Sequence, residues 1–365
     1  MNQLGEILDL SFIRVDFFCY GRSFLSLLFE YSLIMKKTFA LLAALILLGC
    51  FSVNAQAQAN NGYPTELTVA ADGSGNCKSI QEAIDKVRAY SPIPLKIFIK
   101  KGVYHEKVIV PSWVTNITIV GESRDSTIIT YEDYSGKPLP GATDTANKKN
   151  RFTTFNSYTV WVQGNDVHIK NLTIKNAAGR VGQAVALHVD GDRFVLESCN
   201  LLGNQDTLLT ANDSSRQYYI DCFIEGTTDF IFGPATAVFQ GCTIKSLVNS
   251  FVTAASTSEK QQFGYVFFNC KLVADTSVHK EYLGRPWRQY AKVVYVNCDL
   301  GSHILPEGWQ NWGQPANEKT AYYAEYGNKG DGAKTDKRVS WSKQLTAAEA
   351  KKYTLDNIFN GWKPS

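Results

Sequence analysis

Asp206 and Asp229 are the residues of this chain whose type and spacing could do chemistry. Each closes a copy of one eight-residue pattern, C-x-[LI]-x-G-x-x-D, at residues 199–206 and 222–229, and the copies lie 23 residues apart. A period of about 20 to 50 residues marks stacked repeats, in which each unit buries its apolar edge against the next. Stacked as parallel strands, equivalent positions sit roughly 4.8 Å apart, so the two carboxylates would be neighbours on one face. Carboxylates that close resist joint ionisation: one keeps its proton while the other stays anionic, which is a general acid beside a nucleophile or base. A lone Asp in such a turn would only cap a loop. Here Gln205 precedes the first Asp, the apolar Phe230-Ile231-Phe232 follows the second, and Gly233 would let backbone approach a ligand.

The elements that must hold this pair form a longer register. Asn116-Ile-Thr-Ile, Asn171-Leu-Thr-Ile, Ser198-Cys-Asn-Leu, Asp221-Cys-Phe-Ile, Gly241-Cys-Thr-Ile, Asn269-Cys-Lys-Leu and Asn297-Cys-Asp-Leu all read small or polar, apolar or Cys, polar, aliphatic. The first gap is 55 residues, which suggests two turns; the later steps are 27, 23, 20, 28 and 28. No helix-rich linker interrupts them. The economical fold is all-β, a right-handed parallel β-helix with one coil per step. Five of the eight cysteines (Cys199, Cys222, Cys242, Cys270 and Cys298) hold the same site in successive coils, and a column of small apolar side chains lining the interior is the simplest reading. One coil of separation also falls within disulfide reach, and Cys222 with Cys242 is the pair to examine. Cys77 stands apart.

The ends read as caps. Ser79-x-x-Glu82 is a capping box for a helix from about Ile80 to Ala89, with Ile80, Ala83, Ile84 and Val87 on one face. Thr346-x-x-Glu349 is a second box, predicting a helix through about Lys351 and a tail, ending Gly361-Trp362, that lies back over the coils. The stretch 131–151 is rich in Gly, Pro, Asp, Asn and Lys and reads as a long loop of the kind that walls a groove.

Composition narrows the partners. The 365 residues are 44% hydrophobic and 19% charged with a net charge of +3, an ordinary globular balance without a block of basic residues that would bind nucleic acid. Met35-Lys36-Lys37, the apolar run 39–48 and the Ala55-Gln-Ala57-Gln-Ala59 series make residues 35–59 a secretory signal, too short to span a membrane comfortably. Residues 1–34 then precede the true start, and 60–365 form one β-helix domain. The four basic and four acidic residues of 1–59 cancel, so the mature net charge stays +3. Cleavage near Ala57 or Ala59 gives a secreted or periplasmic protein; Leu47-Leu-Gly-Cys50 is the competing lipoprotein box, which would leave a lipid anchor at Cys50. No His, Cys, Asp or Glu cluster has metal-ligand spacing, so no metal or cofactor is expected, and nothing calls for more than a monomer.

Three further segments complete a pattern: Gly182-Gln-Ala-Val-Ala-Leu187, Tyr282-Leu-Gly-Arg-Pro-Trp287 and Gly308-Trp309. Each is weak alone, since Gln183 could be a surface amide, Arg285 an ion-pair partner and Trp287 a core aromatic. With Gly203-Asn-Gln-Asp-Thr-Leu208 and Thr228-Asp-Phe-Ile-Phe-Gly233, the chain from about Leu67 to Trp362 resembles the pectin methylesterase family (pectinesterases, carbohydrate esterase family 8). The resemblance implies a right-handed β-helix acting on methyl-esterified homogalacturonan, the methyl-esterified form of pectin. It implies Asp229 as nucleophile, Asp206 as acid and then base, Gln183 and Gln205 as oxyanion donors, Arg285 as the group orienting Asp229, and Trp287 and Phe232 as sugar-binding wall. Those residue types suit the roles: a guanidinium keeps a carboxylate charged and aimed, and amides stabilise an oxyanion without carrying charge. Aromatic faces suit the C–H face of a sugar.

The chain departs from the family pattern at His188, where Arg is usual, at Thr253-Ala-Ala-Ser, where Thr-Ala-Gln-Gly is commoner, and at Cys77, usually aromatic. His188 reads as a satisfied surface or coil-edge histidine. Other functions remain open. Carboxylates about 5 Å apart also serve a retaining glycosidase, which has no carbonyl oxyanion for the glutamines to stabilise. A pectate lyase would need acidic residues around a calcium ion, and none cluster near Asp206 and Asp229. A noncatalytic polysaccharide-binding β-helix would need neither both aspartates nor both glutamines. A serine esterase would show G-x-S-x-G, which is missing.

Overall fold

The computed structural model describes residues 35–41, 62–144 and 146–364. Contacts divide the chain into two units, 1–62 and 63–365. In the first, residues 35–41 are helical and exposed; the 1–34 extension, the rest of the signal segment and Cys50 lie outside the described residues. No helix among the described residues is long and apolar enough to cross a membrane.

In the second unit each circuit of the chain from Leu95 to Gly284 contributes one strand to each of three sheets. Arg216–Ile220, Phe223–Gly226 and Ile231–Gly233 make one circuit, and Thr236–Gln240 begins the next directly above Arg216–Ile220. The sheets have 11, 8 and 7 strands, every pair parallel, and the result is a right-handed parallel β-helix.

The sequence register has a direct steric origin. Its first, small or polar position is the corner between the 11-stranded and 8-stranded sheets. Asn171, Ser198, Asp221, Gly241, Asn269 and Asn297 all turn there with φ between 51° and 65°, a left-handed conformation that Asn, Asp and Gly tolerate best. Asn171 also donates through Nδ2 to the Gly121 carbonyl at 2.8 Å, tying one corner to the next. The second position turns inward and is Leu172 or one of the five cysteines; the fourth is Ile174, Leu201, Ile224, Ile244, Leu272 or Leu300, and all of them are buried.

Asn116 does not belong to this column. Ile117 pairs with Val167 in the 11-stranded sheet, so Asn116 sits at the entry to that sheet, level with Asp166. The long first gap is therefore one coil rather than two, and its extra length is the loop inserted between the strands Thr127–Tyr131 and Val160–Val162. The two corners share a backbone conformation, and therefore residue preferences, which is why a four-residue pattern could not separate them.

Cys222 and Cys242 form no disulfide: all six cysteines of the described unit are free and buried. Each stacked thiol instead points at a carbonyl of the coil before it, Cys222 at Leu196 and Cys242 at Tyr219, both at 3.4 Å. Burial pushes these thiols well above their ordinary pKa, which keeps them protonated and unreactive. Cys77 is buried in the cap, with the Lys86 ammonium 3.3 Å from its sulfur.

Beside the cysteines runs a stack of rings. Tyr219, Phe239, Phe267 and Tyr295 lie with centroids 4.7, 4.5 and 4.3 Å apart and planes within 11° of parallel, the rise of one coil. The cap helix covers Ile80–Asp85, with the Ser79 hydroxyl accepting from Glu82 N–H; the expected box is only half formed, because the Glu82 carboxylate accepts from Lys78 N–H instead of Ser79 N–H. It ends four residues before the expected Ala89 because Lys86 and Val87 donate to carbonyls three residues back, Ala83 and Ile84, tightening the last turn. At the other end the Thr346/Glu349 capping box is formed on Ala347–Ala350, and a second short helix, Leu355–Ile358, follows it. Phe359 then packs edge-on against Tyr218, so the tail covers the outer face of the 11-stranded sheet.

Phe239→Ala removes the centre of the ring stack. It should cost about 3–5 kcal/mol, seen as a lower denaturant midpoint with an unchanged slope, and an effect below about 1 kcal/mol would mean that the coil interior repacks freely.

Candidate active site

The site grows from the outer face of the 7-stranded sheet, where the stacking register puts like beside like. Gln183 and Gln205 form a parallel bridge between adjacent coils. One position further along the chain, the pairing of Leu208 with Ile231 sets Asp206 level with Asp229. Both aspartates have left-handed backbone, φ 65° and 49°, the conformation of the coil corners, which Asp tolerates. Their backbones are tied to the following coils: Asp206 N–H donates to Thr228 O at 3.1 Å and Asp229 N–H to Phe251 O at 2.8 Å.

The glycine of the repeated pattern is needed for packing. A Cβ on Gly226 would stand 2.2 Å from the Phe230 Cβ, and one on Gly203 2.5 Å from the Thr207 hydroxyl. Only glycine lets the turn pass beneath the residue after each Asp. Gly233 serves the fold in the same way. With φ 125°, a Cβ there would lie 2.3 Å from the Thr210 carbonyl of the neighbouring coil, so its freedom admits protein backbone rather than a ligand.

A cleft of about 240 Å³ opens over these residues. It is lined by Gln183, Gln205, Asp206, Asp229, Arg285, Phe232 and Trp287, and also by Thr154, Phe155, Ala254 and Trp312. All seven sequence-predicted residues are thus brought together. Trp309, in the third motif, is not: it is buried inside the coils between Tyr295 and Tyr323.

The two carboxylates, only 7% and 6% exposed, have different surroundings. Asp229 accepts two hydrogen bonds from Arg285, Nε to Oδ1 at 3.0 Å and Nη2 to Oδ2 at 2.7 Å, the bidentate geometry that best holds a carboxylate. The Asp206 carboxyl accepts no hydrogen bond from any described residue. Burial raises both groups; for Asp229 the Arg285 hydrogen bonds pull back down. Asp206 is pushed up to about 8 by burial, with the Asp229 charge adding to it. The proton shared by the pair therefore resides on Asp206, and the charge on Asp229.

Arg285 is itself clamped, its guanidinium carbon 3.9 Å from the Phe251 ring centroid on one side and 3.8 Å from Trp312 on the other. Neither glutamine amide has a hydrogen-bond partner among the described residues, so both present free N–H donors to the cleft. Phe232 and Trp287 stand with centroids 6.0 Å apart.

Sequence reasoning missed Trp312, Phe251, Ala254, Thr154 and Phe155. Ala254 was within reach, because it follows Phe232 in the coil register; Trp312, at φ 65° in an irregular loop, carries no local signal. None of residues 131–151, the loop expected to wall a groove, lines the cleft; Thr154 and Phe155, just past them, do. His188 is buried rather than at the surface, but it is satisfied: it stacks on Trp161 at 5.2 Å with Nδ1 3.2 Å from the Phe155 carbonyl, so it steadies one wall of the cleft.

Comparison with known proteins identifies the family. A pectinesterase from Petunia integrifolia is 38% identical over 320 residues, covering 83% of this chain and 81% of the relative. A probable pectinesterase/pectinesterase inhibitor from Arabidopsis thaliana is 36% identical over 330 residues, covering 82% of this chain but 52% of the relative. The chain thus spans about half the length of that and several other curated relatives. The solved pectin methylesterase from carrot superposes with a TM-score of 0.73 at 36% identity, covering 81% of this chain and 93% of that one. The pectinesterase family profile matches residues 66–362, and the chain belongs to the pectinesterase family.

Proposed function

We propose that this protein hydrolyses the methyl esters of galacturonate units in pectin, releasing methanol and leaving a free carboxylate. The observation that carries the reading is the asymmetry of two carboxyls one coil apart in one cleft, Asp229 clamped by Arg285 and Asp206 bare, beside two unengaged amides. An ester needs those groups in that order. Asp229 attacks the ester carbonyl carbon, and the negative charge that moves to the carbonyl oxygen is met by Gln183 and Gln205 N–H donors. Collapse of the tetrahedral intermediate expels methoxide, which takes the Asp206 proton and leaves as methanol. Asp206, now a carboxylate, accepts a proton from water as its oxygen attacks the acyl-Asp229 anhydride. Asp229 is freed, Asp206 is reprotonated and the uronate departs. Trp287, Phe232 and Trp312 offer apolar faces to the sugar rings. Residues 35–59 fit an export signal for an enzyme that works on extracellular polysaccharide as a monomer.

Methanol release from methyl-esterified pectin, without new reducing ends, is the primary test; new reducing ends would give the chain to the glycosidases. Asp229→Asn and Asp206→Asn should nearly abolish release. Gln183→Ala or Gln205→Ala should lower kcat on the order of 10²-fold with little change in KM, and full activity in both would remove the oxyanion assignment.

The Asp206 proton also sets a pH dependence. Turnover should fall as pH rises through about 8, where Asp206 ionises. The same proton affects stability. The folded state retains it up to about 8 whereas the unfolded chain releases it near the ordinary value of 3.8, so the folded state loses stability progressively between those limits. Asp206→Asn should therefore melt higher than wild type at neutral pH, by a margin that widens from pH 4 to pH 8; a constant margin would contradict the raised pKa.

Among the described residues no three His, Cys, Asp or Glu side chains converge as metal ligands. Exhaustive EDTA treatment should leave methanol release unchanged, and activity restored only by added Ca²⁺ or Zn²⁺ would count against the mechanism.

A further inference from the structure

A third buried carboxyl lies behind the catalytic pair. Glu281 is 0% exposed and immediately precedes the strand Tyr282–Gly284 that leads into Arg285. Its backbone belongs to the coil stack: Glu281 N–H donates to His303 O at 2.9 Å, and its carbonyl accepts from Leu305 N–H at 2.8 Å. Its side chain reaches the coil before, where Oε2 accepts from Ser250 N–H at 2.5 Å. No hydrogen bond closes on Oε1.

Ser250 is the junction through which both aspartates are held. Its hydroxyl lies 2.8 Å from the Thr228 hydroxyl, and the Thr228 carbonyl accepts the Asp206 N–H. The next residue, Phe251, supplies the carbonyl that accepts the Asp229 N–H and the ring that stacks on Arg285. Tyr282, beside Glu281, stacks on the other side of this arrangement, 5.3 Å from Phe251 with planes 13° apart. A shift of Ser250 would therefore move the backbone of both aspartates and the guanidinium that aims one of them.

We propose that Glu281 is a positioning residue for the Asp206/Asp229 pair, acting as an uncharged carboxylic acid that pins Ser250; this rests on the ester-hydrolysis reading above. A buried anion would need a cation or several donors, and Glu281 has only the Ser250 N–H and the nearby Ser246 hydroxyl to favour its charged form. No Lys or Arg forms an ion pair with it among the described residues. The Arg285 guanidinium is committed to Asp229, His303 on the next coil contributes its carbonyl while burial lowers its ring pKa, and the charge that acts on Glu281 is the like charge of Asp229. Burial, with that charge added, pushes Glu281 up to about 8. That leaves Oε1, on which no hydrogen bond closes, to carry the proton.

The test compares Glu281→Gln with Glu281→Ala in the full chain, with methanol release as the assay. Gln keeps the neutral shape and the carbonyl that meets Ser250 N–H, so its kcat at pH 6 should stay within about twofold of wild type. Ala should lower kcat roughly 10- to 100-fold with KM unchanged, because displacement of the reacting groups costs rate rather than binding. Wild type loses activity above pH 8 as both Glu281 and Asp206 deprotonate, whereas Glu281→Gln loses only the Asp206 proton, so its fall in log kcat with pH should be shallower by one proton. This slope comparison stands even if Glu281→Ala does not fold. Equal damage by Gln and Ala, wild-type kcat in Ala, or identical slopes in wild type and Glu281→Gln would overturn the positioning role. Full activity of Asp229→Asn in the same assay would instead overturn the ester-hydrolysis reading on which it rests.

Discussion

The in-register parallel hydrogen bonding between coils is the constraint on which everything else rests. Because each strand pairs residue for residue with the strand above it, a side chain's position along one coil fixes its neighbours in the next. Inside, this repeats the buried Cys and Ile or Leu positions and stacks Tyr219, Phe239, Phe267 and Tyr295 at the coil rise. Outside, it places Gln183 beside Gln205 and Asp206 level with Asp229. The core and the site are products of the same spacing. A coil inserted without matching length would displace both, which is why the extra residues after Tyr131 leave the stack as a loop.

Identical spacing would make the two aspartates equivalent; what separates them is contributed from further along the solenoid. Arg285, held between Phe251 and Trp312, delivers both of its hydrogen bonds to Asp229 and none to Asp206. The low dielectric of the buried cleft magnifies that difference, since an unpaired carboxylate is costly there and a paired one is not. A single asymmetric cation thereby turns a repeated pattern into an acid and a nucleophile. The burial of the Asp206 carboxyl without a hydrogen bond, and of Glu281 with no partner for Oε1, are features that work against stability. The long, regular core offsets them, as expected where a rigid scaffold supports a destabilised site.

The sequence by itself determined the coil register, the Thr346/Glu349 cap and the Asp206/Asp229 pairing; the register and the pairing were legible because parallel stacking demands the same residue type at the same place in each coil and writes that demand into a period. The corner residues Asn171, Ser198, Asp221, Asn269 and Asn297 were legible for the same reason, although the separate corner at Asn116 was confused with them because it has the same backbone conformation. The Cys222/Cys242 separation allowed a disulfide, and only the directions of the two thiols, each toward a carbonyl of the preceding coil, decided for free cysteines. Tertiary structure alone likewise decided which carboxyl is charged, that Gly233 makes room for backbone, that Trp309 is core while Trp312 faces the cleft, and that Glu281 lies behind the pair. Those outcomes depend on side chains from distant coils and irregular loops meeting in one dry space. No local period records such meetings, because nothing in them repeats.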